Sequence, residues 1–217
     1  MACLTSMIEP LRAANEIAGK DAFRWKLVSE AGDRVEASAI VGFDPDFSLD
    51  DCDDLDLLFL LSGPSSRFDN PSASEGKLRK LVRHGTDVGA VSGGVFPLAR
   101  AGLLKGYAAS VHWCYEAAFK AEFPEVLDSD QVIEVAPDML TASGAAAAFD
   151  LSLHLIRARL GAGIATEVAC WFQHPMMRGE GVQQQVPSAS KPATGEKLPP
   201  LVARCVDLFA SRIGNPE

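Results

Sequence analysis

The chain has 217 residues, 47% of them hydrophobic, which suits one large domain, or a domain with an appendage, around a sizeable core. Its formal charge of −9 sets 29 acidic against 20 basic side chains without a Lys/Arg-rich run, which excludes nucleic-acid binding by a basic face of its own. No apolar run reaches the roughly 18 residues of a membrane span, and the N-terminus lacks the basic and apolar regions of a signal peptide.

Residues 5–18 read as a helix with Ile8, Leu11, Ala14 and Ala18 on one face. Residues 23–29 and 34–41 read as strands. The acidic stretch 44–56 reads as a solvated loop rather than a metal site. Its carboxylates surround Leu49 and Leu55, and no histidine lies nearby in the sequence. Residues 55–61 form a continuous apolar run, the pattern of a strand covered on both faces. Residues 76–84 follow as a helix with Leu78, Leu81 and Val82 inward.

Residues 87–91 are the next buried strand, and they stop at Ser92-Gly93-Gly94. Residues 95–103 then show helical spacing, with Val95, Leu98, Ala99 and Gly102 on one face. Pro97 falls near the first turn, where its missing N–H costs nothing. Strand, Gly-flanked turn and helix are the layout of a nucleophile elbow, with Ser92 as the turning residue. A His112-Trp113 pair follows twenty positions later. An ordinary serine hydrolase fits poorly: Gly-x-Ser-x-Gly needs Gly at 90, where Ala90 stands, and its histidine lies far downstream.

Residues 107–111 are strand-like, and 115–123 are helical up to Pro124. Residues 131–135 and 139–142 suggest a hairpin around Pro137-Asp138. Residues 144–160 and 164–172 are helices. Alternating strands and helices imply an α/β domain with a doubly wound, mainly parallel sheet flanked by helices. Residues 179–200 are polar, aperiodic and rich in Pro, Gly and Ser, as in a linker or long loop. Residues 201–213 resume as an amphipathic helix with Leu201, Val202, Cys205, Leu208 and Phe209 on one face. The organisation expected is a domain over 1–178, a linker over 179–200 and a helix within 201–217. Five scattered cysteines (Cys3, Cys52, Cys114, Cys170 and Cys205) without C-x-x-C spacing fit reduced thiols in the cytoplasm, not a disulfide framework or zinc site.

The elbow, with Leu98-Ala-Arg-Ala-Gly-Leu-Leu104, resembles the ThiJ/PfpI (class I glutamine amidotransferase-like) superfamily, whose fold is flavodoxin-like. It looks most like the N-terminal domains of AraC-type transcriptional regulators. Further matching stretches are Ile8-Glu-Pro-Leu-Arg-Ala-Ala-Asn15, Phe23-Arg-Trp-Lys-Leu-Val-Ser29, Leu140-Thr-Ala-Ser-Gly144 and Phe149-Asp-Leu-Ser-Leu-His-Leu-Ile156. Each is weak alone; their common order over nearly the whole chain is specific. The resemblance implies a first strand upstream of Met1, and a DNA-binding helix-turn-helix domain beyond the C-terminal helix.

Two departures bear on chemistry. Catalytic members carry Cys at the elbow, and the matching position is Ser92, whose hydroxyl needs a base to become nucleophilic. The loop after the 55–61 strand usually reads Gly-Gly and helps form an oxyanion hole. Here it reads Ser62-Gly63-Pro64, and Pro64 removes a backbone donor.

Ser92 therefore reads as a nucleophile, a ligand contact or a small residue in a tight turn. His112 reads as a base, a pocket wall or a helix cap, and Trp113 as core or ligand wall. Glu9, on an apolar helix face, either points into the site or caps local amides. Asp150 and His154 suggest an i,i+4 hydrogen bond rather than a metal pair. Residues 171–174 suggest packing or an interface, and Cys114 and Cys170 buried small hydrophobes.

The function expected is a non-catalytic, small-molecule-sensing domain of an AraC-type regulator. It would form a homodimer, contact DNA only through a further C-terminal domain, and use no cofactor or metal. Glu9, Gly63, Ser92, Gly93, His112 and Trp113 would hold the effector, which the resemblance suggests is an amino acid or quaternary amine. The alternative is a ThiJ/PfpI-type amidase or hydrolase using Ser92 and His112. A third is a purely structural dimerisation module.

Overall fold

In this computed structural model, residues 1–174 and 177–187 are described, together with Arg204. The amphipathic helix expected over 201–213 thus lies outside the described residues, Arg204 apart. Residues Met1–Gln184 form one compact unit.

The first helix, α1 (Ala2–Ala18), ends at Gly19, whose left-handed backbone (φ 62°) returns its N–H to the Asn15 and Glu16 carbonyls. Its buried residues are Met7, Pro10, Ala13 and Ala14, so the inward face is turned from the expected stripe, and Ile8 and Leu11 are only half-buried. The expected strands at 23–29 and 34–41 shrink to β1 (Val28–Ser29) and β2 (Val35–Glu36). The reason is a turn: the Ala37 N–H donates to the Val41 carbonyl, and Ile40 takes a positive φ of 59°. The chain there folds back into β3 (Gly42–Phe43), antiparallel to β2, and β4 (Phe47–Ser48) then pairs parallel with β1.

The central sheet holds β5 (Leu57–Ser62), β6 (Asp87–Ser92), β9 (Ile133–Val135) and β10 (Met139–Ala142), in the order β5-β6-β10-β9. The first three are parallel; β9 joins antiparallel, through the expected hairpin at Pro137-Asp138. A side pair, β7 (Ala108–Ser110) and β8 (Leu127–Ser129), is also parallel. The Ser110 N–H ties β7 to β10 through the Thr141 hydroxyl at 2.8 Å.

Side chains alternate across β6. Val88 and Ala90 join a core with Phe96 and Leu98 of α3 (Val95–Arg100) and Phe119 of α4 (Glu116–Glu122). Val91 faces the other way, with Met7 of α1 and Leu151 of α5 (Ala145–Leu160). The sheet is thus covered on both faces, as its unbroken apolar strands require. Helix α6 (Ala162–Trp171) packs on α1 and α5 through Val168 and Ala169.

Helix α2 (Pro71–Arg83) begins before the expected residue 76, because Asn70 accepts the Ala73 N–H and Pro71 fills the first helical position. Helix α3 is shorter than expected, giving way at Ala101 to a run of turns that holds Gly102 at φ 74° and Gly106 at φ 89°. The aspartates of the 44–56 stretch are exposed, and Leu49 and Cys52 are buried among them.

Candidate functional site

The elbow is built by close backbone approaches at the carboxyl ends of β5 and β6. A Cβ on Gly94 would lie 1.9 Å from the Leu60 carbonyl oxygen, and one on Gly93 would lie 2.3 Å from the Gly63 carbonyl carbon. Only glycine permits the turn to press against β5 and the Gly63-Pro64 loop. Ser92 closes β6 with φ 55°, a left-handed backbone that a side chain rarely tolerates outside an over-determined site. The Gly94 N–H is spent on the Val91 carbonyl at 3.0 Å. That amide is an internal turn bond, and a six-residue α3 offers little dipole. Gly63 is exposed, and its carbonyl accepts the Ser62 hydroxyl and the Ser66 N–H.

His112 and Trp113 follow β7. The His112 ring lies over Gly144 at the start of α5, where an added Cβ would sit 3.3 Å from the ring Cδ2. The Cys114 backbone N–H donates to His112 Nδ1 at 3.3 Å, and the Cys114 sulfur lies 2.9 Å from the same nitrogen. A backbone N–H can only donate, so in the neutral ring Nδ1 accepts and Nε2 carries the proton. Burial pulls the His112 pKa below its usual value, which favours that neutral ring.

Tyr115 completes the group. Its ring lies 5.3 Å from that of His112, and its hydroxyl lies in the neighbourhood of Ser92, Cys114 and Cys3 of α1. Burial raises the Tyr115 pKa, the Ser92 contact opposes that rise, and Cys114 adds to it. Trp113 packs beside His112, ring centres 5.5 Å apart, with 39% of its surface exposed.

Ser92, Gly93, Gly63 and His112–Trp113 thus sit around the carboxyl ends of the strands, with the Tyr115 ring beside that of His112. Among the described residues no hydrogen bond joins Ser92 to His112. Glu9 pairs with Arg12 on its own helix at 3.0 Å, both side chains half-exposed. Two expectations are corrected. Cys114 and Cys170 are exposed, not buried. Asp150 bonds His174 and Arg178, each at 2.8 Å, instead of His154, because the chain after α6 folds back over α5. Phe172 meets Phe149 edge-on at 5.2 Å, so residues 171–174 do pack, although Trp171 is largely exposed.

Cys114 and Tyr115 adjoin the His-Trp pair, and their part could have been read from that adjacency. Gly144, fixed by tertiary packing, gave no local signal. Two surface cavities, of about 620 and 370 Å³, lie at the opposite ends of the strands, against residues such as Asp56 and Thr86 or Asp87 and His154. Neither includes an elbow residue.

Residues 5–158 match the DJ-1/PfpI family. The chain is 34% identical over 201 residues to the HTH-type transcriptional regulator GbdR of Pseudomonas aeruginosa, covering 92% of this chain and 55% of that protein. It is 32% identical over 186 residues to CdhR, an HTH-type regulator of the same species, covering 86% of this chain and again 55% of the relative. It therefore spans about half the length of these relatives. Among solved structures, an AraC family transcriptional regulator from Pseudomonas putida superposes with a TM-score of 0.72 at 27% identity, covering 79% of this chain and 92% of that one. Drosophila melanogaster DJ-1beta shares the fold, with a TM-score of 0.62 at 20% identity over 79% of this chain and 90% of its own length. By its elbow, its sheet order and this match, the chain belongs to the DJ-1/PfpI family.

Proposed function

We propose that this chain is the small-molecule-sensing, non-catalytic domain of an AraC-type bacterial transcriptional regulator acting in the cytoplasm. The observation that carries the proposal is the state of His112. With Nδ1 engaged by Cys114, the ring offers Nε2–H as a donor and cannot serve Ser92 as a base through either nitrogen. A donor beside a serine hydroxyl suits a carboxylate, and the half-exposed Trp113 face suits the cationic end of the same molecule. An amino acid or a quaternary-amine carboxylate has both groups. Glu9, already paired with Arg12, is given no contact with it. The likeness to HTH-type regulators over most of the chain supports the same reading, with DNA contacted by another domain of the full regulator as a homodimer.

The test is a thermal-shift screen of the 217-residue chain against amino acids and betaines. At about 100 times its Kd a ligand adds roughly 2.7 kcal/mol to the native state. The shift should be lost in His112→Ala. An equal shift in that variant would place binding elsewhere, and no stabiliser in the panel would remove this ligand class.

A further inference from the structure

Residues 181–184 make a set of polar contacts that effector binding at the elbow does not require. The Gln184 side chain brackets His112. Its Nε2 donates to the Val111 carbonyl at 2.8 Å and to the Gln131 carbonyl at 3.3 Å, and its Oε1 accepts the Trp113 N–H at 3.0 Å. One amide thus holds the peptide group before His112 and the one after it. The backbone locks the same segment down: the Val132 N–H donates to the Val182 carbonyl at 2.8 Å, and the Gln184 N–H donates to Asp130 at 2.7 Å. Gln131 and Gln183 form an antiparallel bridge, and the Gln131 side chain accepts the Gly181 N–H. Just upstream, Arg178 and His174 are fastened to the buried Asp150 carboxylate.

We propose that Gln184 is a positioning residue for the His112–Trp113 loop, and that seating of residues 181–184 and effector occupancy of that loop are one coupled equilibrium. A carboxamide suits the loop because it carries a donor and an acceptor on separate atoms, one for the Val111 carbonyl and one for the Trp113 N–H. Coupling is reciprocal: what holds the loop for an effector is held in turn by the effector. The coupling half rests on the sensing reading above; the positioning half does not.

The experiment is amide hydrogen exchange on the 217-residue chain. In Gln184→Ala, the Trp113 amide should exchange about tenfold faster, the loss expected for one good hydrogen bond, with the amides of α5 unchanged. In Gln184→Glu, which keeps the acceptor and loses the donor, Trp113 should stay protected. Unchanged Trp113 exchange in the alanine variant, or equal acceleration throughout α5, overturns the proposal. Glycine betaine and glycine serve as effector probes, sharing a carboxylate and differing in their amine. A probe that binds should slow exchange at residues 181–184 and bind about tenfold more weakly to Gln184→Ala. Equal affinity overturns the coupling. If neither probe binds the wild-type chain, the coupling fails with the sensing reading for these ligands, while Trp113 exchange still decides positioning.

Discussion

The backbone N–H and the sulfur of Cys114 converge on a single nitrogen of His112, at 3.3 and 2.9 Å from Nδ1. This fixes which nitrogen is the acceptor before any ligand arrives. It also makes the ring's neutrality a condition of the local fold, since a protonated Nδ1 would meet the Cys114 N–H donor to donor.

A pH dependence follows. Burial depresses the His112 pKa in the folded chain below its usual 6.5. Below that value the unfolded chain binds the proton more readily, so stability present at neutral pH is lost as the pH falls through the folded pKa. Urea midpoints should therefore drop between about pH 7 and about pH 5.5, and His112→Gln should lose less over that interval. Comparing the two chains cancels other titrating groups, and equal losses would show that His112 is not the group responsible.

Two glycines should respond in opposite ways to the same methyl group. At Gly94 an added Cβ would strike the Leu60 carbonyl at 1.9 Å, and both backbones are fixed by β5 and the elbow. Gly94→Ala should cost about 4 kcal/mol, among the largest single-site losses. At Gly163, in α6, an added Cβ meets nothing within 4 Å. Gly163→Ala should stabilise by about 0.5–1 kcal/mol through helix propensity and the unfolded chain. Chemical denaturation of both variants checks the contrast; a mild Gly94→Ala would mean the elbow can move away from β5.

Asp150 is the charged hub of the chain's return over α5. Its side chain is fully buried and takes bonds from His174, from the Arg178 backbone N–H and from the Arg178 guanidinium. Asp150→Ala would strand that cation and open a polar void, at a cost of about 3–5 kcal/mol. Limited proteolysis should then cut near residue 178 in the variant before the wild type does. Uncut variant chain with an unchanged denaturation midpoint would mean solvent replaces the carboxylate without loss.

The parts legible in the sequence were those set by local pattern. The apolar runs of β5 and β6, the hairpin at Pro137-Asp138 and the glycine turn at Ser92 all announce themselves through period or turn chemistry. What stayed hidden depends on distant partners. The apolar residues at 37–41 look like a strand until Ile40 turns the chain at positive φ. Asp150 and His154 share a helical spacing, yet His174 and Arg178 arrive from beyond α6 to take the carboxylate. Gln184 lies in a polar, aperiodic stretch, and nothing local marks it from Gln183 or Gln185. At the elbow, the same tightness that demands glycine uses the Gly94 N–H inside the turn, which no local pattern shows.

The last prediction concerns catalysis. A serine elbow hydrolyses an ester only when a base takes its proton and donors meet the oxyanion. Ser92 keeps the strained left-handed geometry of such an elbow, at φ 55°. Its titratable neighbour, however, is Tyr115, whose pKa burial raises, so the phenol stays protonated near neutral pH and is no base. His112 has Nδ1 occupied by Cys114 and its proton on Nε2. Pro64 has no N–H to lend the neighbouring loop. A positioned base alone is worth about a hundred- to ten-thousandfold in rate, and here none is positioned. Hydrolysis of p-nitrophenyl acetate by the wild-type chain should therefore match that of Ser92→Ala. Burst-free, equal progress curves for the two would agree. A wild-type rate that Ser92→Ala and His112→Ala each abolish would mean the His112 ring turns over in solution, and the hydrolase reading would then displace the sensor.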